Sequence, residues 1–174
     1  MKTPLIILAL LAASSISVSG AAAHVVAVPD TAKAGSYSAI AFRVGHACAT
    51  GDTTLKVRIE IPDGVASARP QVKPGWTYSL EPAADPKAAP TAITFEGRLP
   101  DEAFEDFAIL MKLPAPNTKE GGDRLVFPVV QTCAKGESQW TEVPSPEAPG
   151  AKLNRPAPTV TLIPVDAAAA AHHH

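Results

Sequence analysis

The sequence predicts an all-β chain folded as a sandwich of two antiparallel sheets, and three observations lead there. Charge and apolar character alternate residue by residue through Lys56-Val57-Arg58-Ile59-Glu60-Ile61, the period of a strand buried on one face only. Other short apolar runs recur along the chain, each bounded by turn-forming residues. The 18 prolines and 11 glycines leave few windows long enough for a helix.

Taken in order, His24 to Val28 and Tyr37 to Val44 read as strands, parted by a turn region holding Pro29-Asp30 and Gly35. The alternating segment Lys56 to Ile61 follows and is stopped by Pro62-Asp63-Gly64, where proline fixes one backbone angle and glycine permits the reversal. Further strands are expected over Val72 to Leu80, Thr91 to Glu96, Phe104 to Leu113, Arg124 to Thr132, Gln139 to Val143 and Thr159 to Ile163. Pro82 to Pro90, Pro114 to Gly122 and Pro144 to Pro158 are the intervening loops. Between Glu102 and Leu113 a second pattern competes, because Ala103, Phe104, Phe107, Ala108 and Met111 also line one face of a helix. Pro100 and Pro114 bracket that segment and Phe107 to Met111 is continuously apolar, so a strand is expected. Short strands at this spacing give an immunoglobulin-like or fibronectin-like β-sandwich. Trp76, following the Pro74-Gly75 turn, is expected to pack rather than bind.

The first residues predict export. Lys2, the apolar run Leu5 to Ala13 and the small residues ending at Ala21-Ala22-Ala23 form the three regions of a secretory signal peptide. Residues 1–23 are therefore read as signal peptide, 24–166 as one sandwich domain, and 167–174 as a disordered tail or partial tag. A cut after Ala23 makes His24 the first residue; a cut after Gly20, with Val18 three positions before it, is the alternative. The apolar run is shorter than the ~18 residues of a membrane span, so no span is expected in the mature form. About 150 residues would remain, enough for one proper core. With a net charge of −2 and no basic stripe, nucleic acid is not an expected partner.

Two cysteines, Cys48 and Cys133, are present. In an oxidising compartment a disulfide between them is expected, and they lack the C-x-x-C spacing of a redox or zinc site.

Histidine is scarce, and its placement carries the chemistry. Outside His172-His173-His174, read as tag or tail, only His24 and His46 occur. A histidine at a new N-terminus offers its α-amine and its imidazole to one metal, and the amine's ordinary pKa of ~7.7–8.0 lets a metal displace its proton near neutrality. Copper(II) prefers nitrogen and oxygen donors in a tetragonal plane and heads the affinity order, so zinc and nickel are weaker competitors. If the strands beginning at His24 and ending near Gly45 run antiparallel, His46 comes within reach. The turn Ala134-Lys135-Gly136-Glu137 would set Trp140 roughly across from Cys133. A Cys48–Cys133 bond would then draw His24, His46 and Trp140 to one corner.

The chain resembles the YcnI-like family of exported copper-binding domains. The resemblance rests on Ala-Ala-His24-Val25 before Pro29, on Ala34-Gly35-Ser36, and on Arg43-Val44-Gly45-His46-Ala47-Cys48. It continues through Ile61-Pro62-Asp63-Gly64-Val65, Lys73-Pro74-Gly75-Trp76, a Gly97-Arg98-Leu99-Pro100 turn, Gln139-Trp140 and Pro156-Ala157-Pro158-Thr159-Val160. It implies an immunoglobulin-like sandwich holding copper(II) by a histidine brace: the amine and imidazole of the first mature residue, a carboxylate, and a nearby tryptophan. Here those positions fall on His24 and Trp140. Where the pattern has glutamate, this chain reads Gly45-His46-Ala47-Cys48, with Asp52 the nearest acid in sequence, so His46 is taken to replace the carboxylate. Trp140 is taken to screen the metal from water without binding it.

The expected function is periplasmic or secreted copper homeostasis without catalysis. The protein would sequester copper(II) or deliver it to a membrane transporter or another periplasmic copper protein. The only methionine besides the initiator is Met111, so the soft sulfur ligands of a copper(I) carrier are lacking. Two other classes stand beside it. A histidine-brace copper oxygenase would need a substrate platform, often aromatic, and the chain has two tryptophans and two tyrosines. A metal-free adhesion or scaffold module would use the sandwich as a spacer.

Overall fold

The computed structural model describes residues 24–115, 124–145, 147–148 and 150–164. Its first sheet runs in the order β1 (Val26–Val28), β3 (Tyr37–Val44), β8 (Glu105–Lys112), β5 (Ser67–Pro70). The second runs β11 (Glu137–Trp140), β10 (Val129–Cys133), β4 (Thr53–Glu60), β7 (Ala92–Pro100), β6 (Thr77–Glu81). A small third sheet joins β2 (Thr31–Lys33), β12 (Thr159–Ile163) and β9 (Arg124–Val126). The strands form an immunoglobulin-like sandwich.

The core is what the alternation demands. Ile40, Phe42 and Val44 of β3 and Phe107, Ile109 and Met111 of β8 turn inward from one sheet. Val57 and Ile59 of β4, Ile93 and Phe95 of β7 and Val129 of β10 meet them from the other. Charged residues between them stay outside and pair there, Arg58 with Glu60 along β4 and with Glu81 of β6, and Lys56 with Glu96 of β7.

The segment with two competing periods is a strand. β8 pairs with β3 over eight residues, Tyr37 opposite Lys112 through Val44 opposite Glu105. Phe107, Ile109 and Met111 are fully buried, while Phe104 of the rejected helical face is 64% exposed. A long ladder on one side and β5 on the other satisfy the backbone groups that a helix would have satisfied internally.

Other boundaries differ from expectation. The strand expected over Val72 to Leu80 starts only at Thr77, because Lys73 to Trp76 form a turn, with Gly75 at φ 77° and the Trp76 N–H on the Lys73 carbonyl at 3.2 Å. Arg124 to Thr132 is two strands parted at Phe127-Pro128, since Pro128 has no N–H to continue a ladder. The first strand begins at Val26 rather than His24, and β11 ends at Trp140 rather than Val143. Gly97-Arg98-Leu99-Pro100, expected as a turn, is the end of the strand β7. β2 and β5 have only three and four residues, too few to show a period. Trp76 packs, as expected: its ring meets Phe107 edge-on at 4.7 Å and covers the Cβ-less face of Gly97. Residues 1–23 and 167–174 lie outside the described residues.

The strand reading of β8 makes two phenylalanines three positions apart behave differently. Phe107→Ala should cost about 3–5 kcal/mol in urea unfolding. Phe104→Ala, which removes only an exposed ring beneath Arg43, should cost less than about 1 kcal/mol. Comparable losses at both sites would mean that a helical face buries the two together.

Candidate metal centre

β1 and β3 run antiparallel with Val26 opposite Arg43. His24, two residues before that pair, therefore lies beside Gly45 and His46, which follow the end of β3. The expected juxtaposition of the two histidines at one end of the sandwich is present.

His46 sits on the connection between β3 and β4, and four contacts hold that loop. The Asp101 carboxylate, between β7 and β8, accepts the Ala47 N–H at 2.9 Å and the Gly51 N–H at 2.8 Å. Gln131 on β10 donates its amide N–H to the His46 carbonyl at 2.7 Å. Cys48 and Cys133 are joined, with their Cα atoms 6.0 Å apart. The His46 Nδ1 bonds to the Ala47 carbonyl. A carbonyl can only accept, so in a neutral ring a hydrogen bond here would use the Nδ1 proton and leave the Nε2 lone pair for a metal.

Trp140 completes the corner. Its ring centroid is 5.7 Å from that of His24, at an interplanar angle of 62°, and 6.1 Å from that of His46, at 71°. Both imidazoles thus stand edge-on to one indole. The indole is 5% exposed, and its N–H is donated to the Gln131 carbonyl oxygen at 3.1 Å. It has no lone pair to offer, so it can exclude water beside a metal but not ligate one.

Trp140 reaches this place by a different register from the one expected. It pairs with Val129, while Glu137 pairs with Thr132 nearest the turn. The turn is tight, with Cys133 N–H on the Gly136 carbonyl at 2.8 Å, so Trp140 lies further along β10 than Cys133. Its side chain comes back to the corner through Gln131.

Asp52, the acid nearest to His46 in sequence, is not at the site. It is 4% exposed and accepts the N–H groups of Thr53 at 2.8 Å and Lys135 at 3.2 Å. The acid that reaches the loop is Asp101, whose carboxyl is held below its usual range by the Gly51 and Ala47 N–H groups, with a smaller contribution from His46. One lone pair on each of its oxygens serves the backbone, and an ionised carboxylate keeps further acceptor sites. Sequence reading missed Asp101, and it missed Gln131, although a polar residue between the inward-facing Val129 and Cys133 was the available signal.

The donor set can be counted against a metal's needs. Among the described residues no group of three or more His, Cys, Asp or Glu side chains converges. Both cysteines are oxidised and Met111 is buried in the core, so sulfur is not offered. His24 and His46 contribute one imidazole each. That pair fits a nitrogen-preferring ion, and the backbone nitrogen of His24 is a further candidate donor at this corner. His172-His173-His174 lie outside the described residues.

A family model described as a domain of unknown function (DUF1775) matches residues 24–162. A crystal structure of an uncharacterized protein from Nocardia farcinica, described as revealing an immunoglobulin-like fold, superposes with a TM-score of 0.64 at 28% identity. The match covers 80% of this chain and 97% of that one. No curated protein matches the sequence.

Asp101 gives the loop a pH dependence whose sign is set. Because the folded state lowers its pKa, the stabilisation is present above the ordinary carboxylate value and is lost as pH falls through the lowered one, below about pH 4. The thermal midpoint should therefore fall less steeply with acid in Asp101→Asn than in the wild type. Parallel curves for the two proteins would show that this carboxylate does not hold the loop.

Proposed function

The chain belongs to the DUF1775 family, the YcnI family, and on that premise we propose that it is an exported protein that binds one copper(II) ion at the corner of His24, His46 and Trp140. The observation that carries the reading is the placement of two half-buried imidazoles against one buried indole. The family match, which begins at His24, supports that residue as the start of the working domain. Removal of residues 1–23 by signal peptidase would free its α-amine.

The division of labour follows from the donors. The amine and imidazole of His24 close a chelate ring, so two of the metal's bonds are held by one residue and the second forms at little entropic cost. His46 adds a third nitrogen through Nε2, its ring oriented by the Nδ1 contact to the Ala47 carbonyl, as second partners of ligating histidines commonly do. Trp140 closes one side of the site to water. Three nitrogens in a plane, with the remaining position left to water or a partner's ligand, is an arrangement that suits copper(II). Copper is cargo on this reading, held for sequestration or passed to a transporter or another copper protein, with no reaction catalysed. Oxidised cysteines at the site's edge fit export into the periplasm or beyond.

Protein beginning at His24 should take up one equivalent of Cu(II) with a nitrogen-rich tetragonal electron paramagnetic resonance signal and quenching of Trp140 fluorescence. One extra residue ahead of His24 should abolish that signal, and His46→Ala should weaken binding at least about tenfold. An unchanged spectrum and affinity in the extended protein would overturn the reading.

A further inference from the structure

The outer face of the first sheet is apolar in the middle and charged at both ends, and the pattern is palindromic. From β3 the outward residues are Tyr37, Ala39, Ala41 and Arg43; from β8 they are Asp106, Ala108, Leu110 and Lys112. Ile40 and Ile109, both buried, are direct cross-strand partners at the centre of the two series. Three of the four central positions are alanine, and the fourth, Leu110, is 43% exposed. Beside them, among Ala39, Arg69, Pro70, Gln71, Ala108 and Leu110, lies a mostly apolar hollow of ≈ 380 Å³.

We propose that this face binds a second copy of the chain, sheet against sheet, about a two-fold axis crossing the strands over the Ile40–Ile109 pair. The axis exchanges positions equidistant from its centre. Lys112 of each copy then meets Asp106 of the other, and Arg43 meets the ring of Tyr37. Leu110 comes down over the partner's Ala108, at the edge of the hollow, and Arg69, which has no ion-pair partner among the described residues, faces the partner's Gln71. Within each copy Arg43 already holds Asp106 at 2.8 Å and Lys112 donates to the Gly35 carbonyl, so the partner's lysine adds a second cation to a half-exposed carboxylate, and the alanines let the two sheets approach to the ~10 Å of a face-to-face packing. Such a two-fold contact is self-limiting, because it uses the same patch on both copies.

The overlap is small. Strands ~4.8 Å apart and ~3.4 Å per residue over Tyr37–Arg43 give roughly 400 Å² per copy, against ~800 Å² in a standard interface, so the dimer is weak and concentration-dependent. Its two copies run in opposite directions, which puts the two histidine corners at opposite ends. The dimer therefore does not depend on copper.

Sedimentation velocity on the exported protein over a range of concentrations tests the proposal. The weight-average mass should rise toward twice that of the monomer as concentration increases. Leu110→Lys, an exposed change that leaves the fold intact by circular dichroism, should hold it at the monomer value. Lys112→Asp, which leaves the Arg43–Asp106 pair within each copy intact, should also be monomeric, since like charges then meet at both ends. A wild type that stays monomeric at millimolar concentration, or a Leu110→Lys or Lys112→Asp protein that associates like the wild type, would each overturn it.

Discussion

A primary amide sealed from water has to find partners for its N–H groups and its carbonyl, or the burial costs more than packing returns. Gln131, fully buried, finds them in three segments of the chain. Its N–H groups go to the His46 carbonyl and the Thr54 hydroxyl, each at 2.7 Å, and its carbonyl takes the Trp140 indole N–H. The neighbouring disulfide closes the same corner, with the Cys48 N–H 3.0 Å from the Cys133 sulfur. Loop, strand and indole are thereby fixed relative to one another by a set of contacts in which no buried side-chain polar atom of the described residues goes unpaired. A satisfied polar network of this kind has one good arrangement and few near alternatives. That is why a loop can hold the His46 imidazole beside the indole at a repeatable position.

The sandwich was legible in the sequence wherever one face of a strand is buried and the other solvated. Lys56 to Glu60 is the clearest case, and Tyr37 to Val44 emerges with its boundaries unchanged. Legibility fails where period has no room to show itself. β2 and β5 are too short, and in Val72 to Trp76 apolar residues sit in a turn, with Val72 77% exposed. The ambiguity at Glu102 to Leu113 could not be resolved locally, because Phe107 and Met111 satisfy both a period of two and a helical face. The partner strand decides it: only an extended β8 gives β3 a ladder on that side.

The site was legible in its scarce residue types and opaque in its common ones. Outside His172-His173-His174, two histidines and two cysteines leave few combinations, and the antiparallel pairing of β1 with β3 brings the two histidines together as expected. Trp140 was placed at the right corner through the wrong register, since counting residues around a turn does not say which pair closes it. Asp101 and Gln131 went unnoticed because their work is done on backbone groups. A carboxylate that accepts two loop N–H groups has no signature in sequence spacing, being about fifty residues from the atoms it binds.

The donor count at the corner leads to a consequence for how the proposed cargo is selected. Side chains alone supply two imidazoles, a set too sparse to hold a divalent ion firmly against water at neutral pH. A third nitrogen from the terminus of residue 24 changes the balance, because it is bound through the same residue and adds a chelate ring rather than another independent ligand. Before processing, that nitrogen is an amide whose lone pair is delocalised into its carbonyl, and the corner lacks its best donor. On the proposed reading the protein would thus be a poor copper ligand in the reducing cytoplasm and a competent one only after export, when the disulfide also closes the loop that carries His46. Cleavage and oxidation would act on the same few ångströms of structure, and each would make the other's contribution more effective.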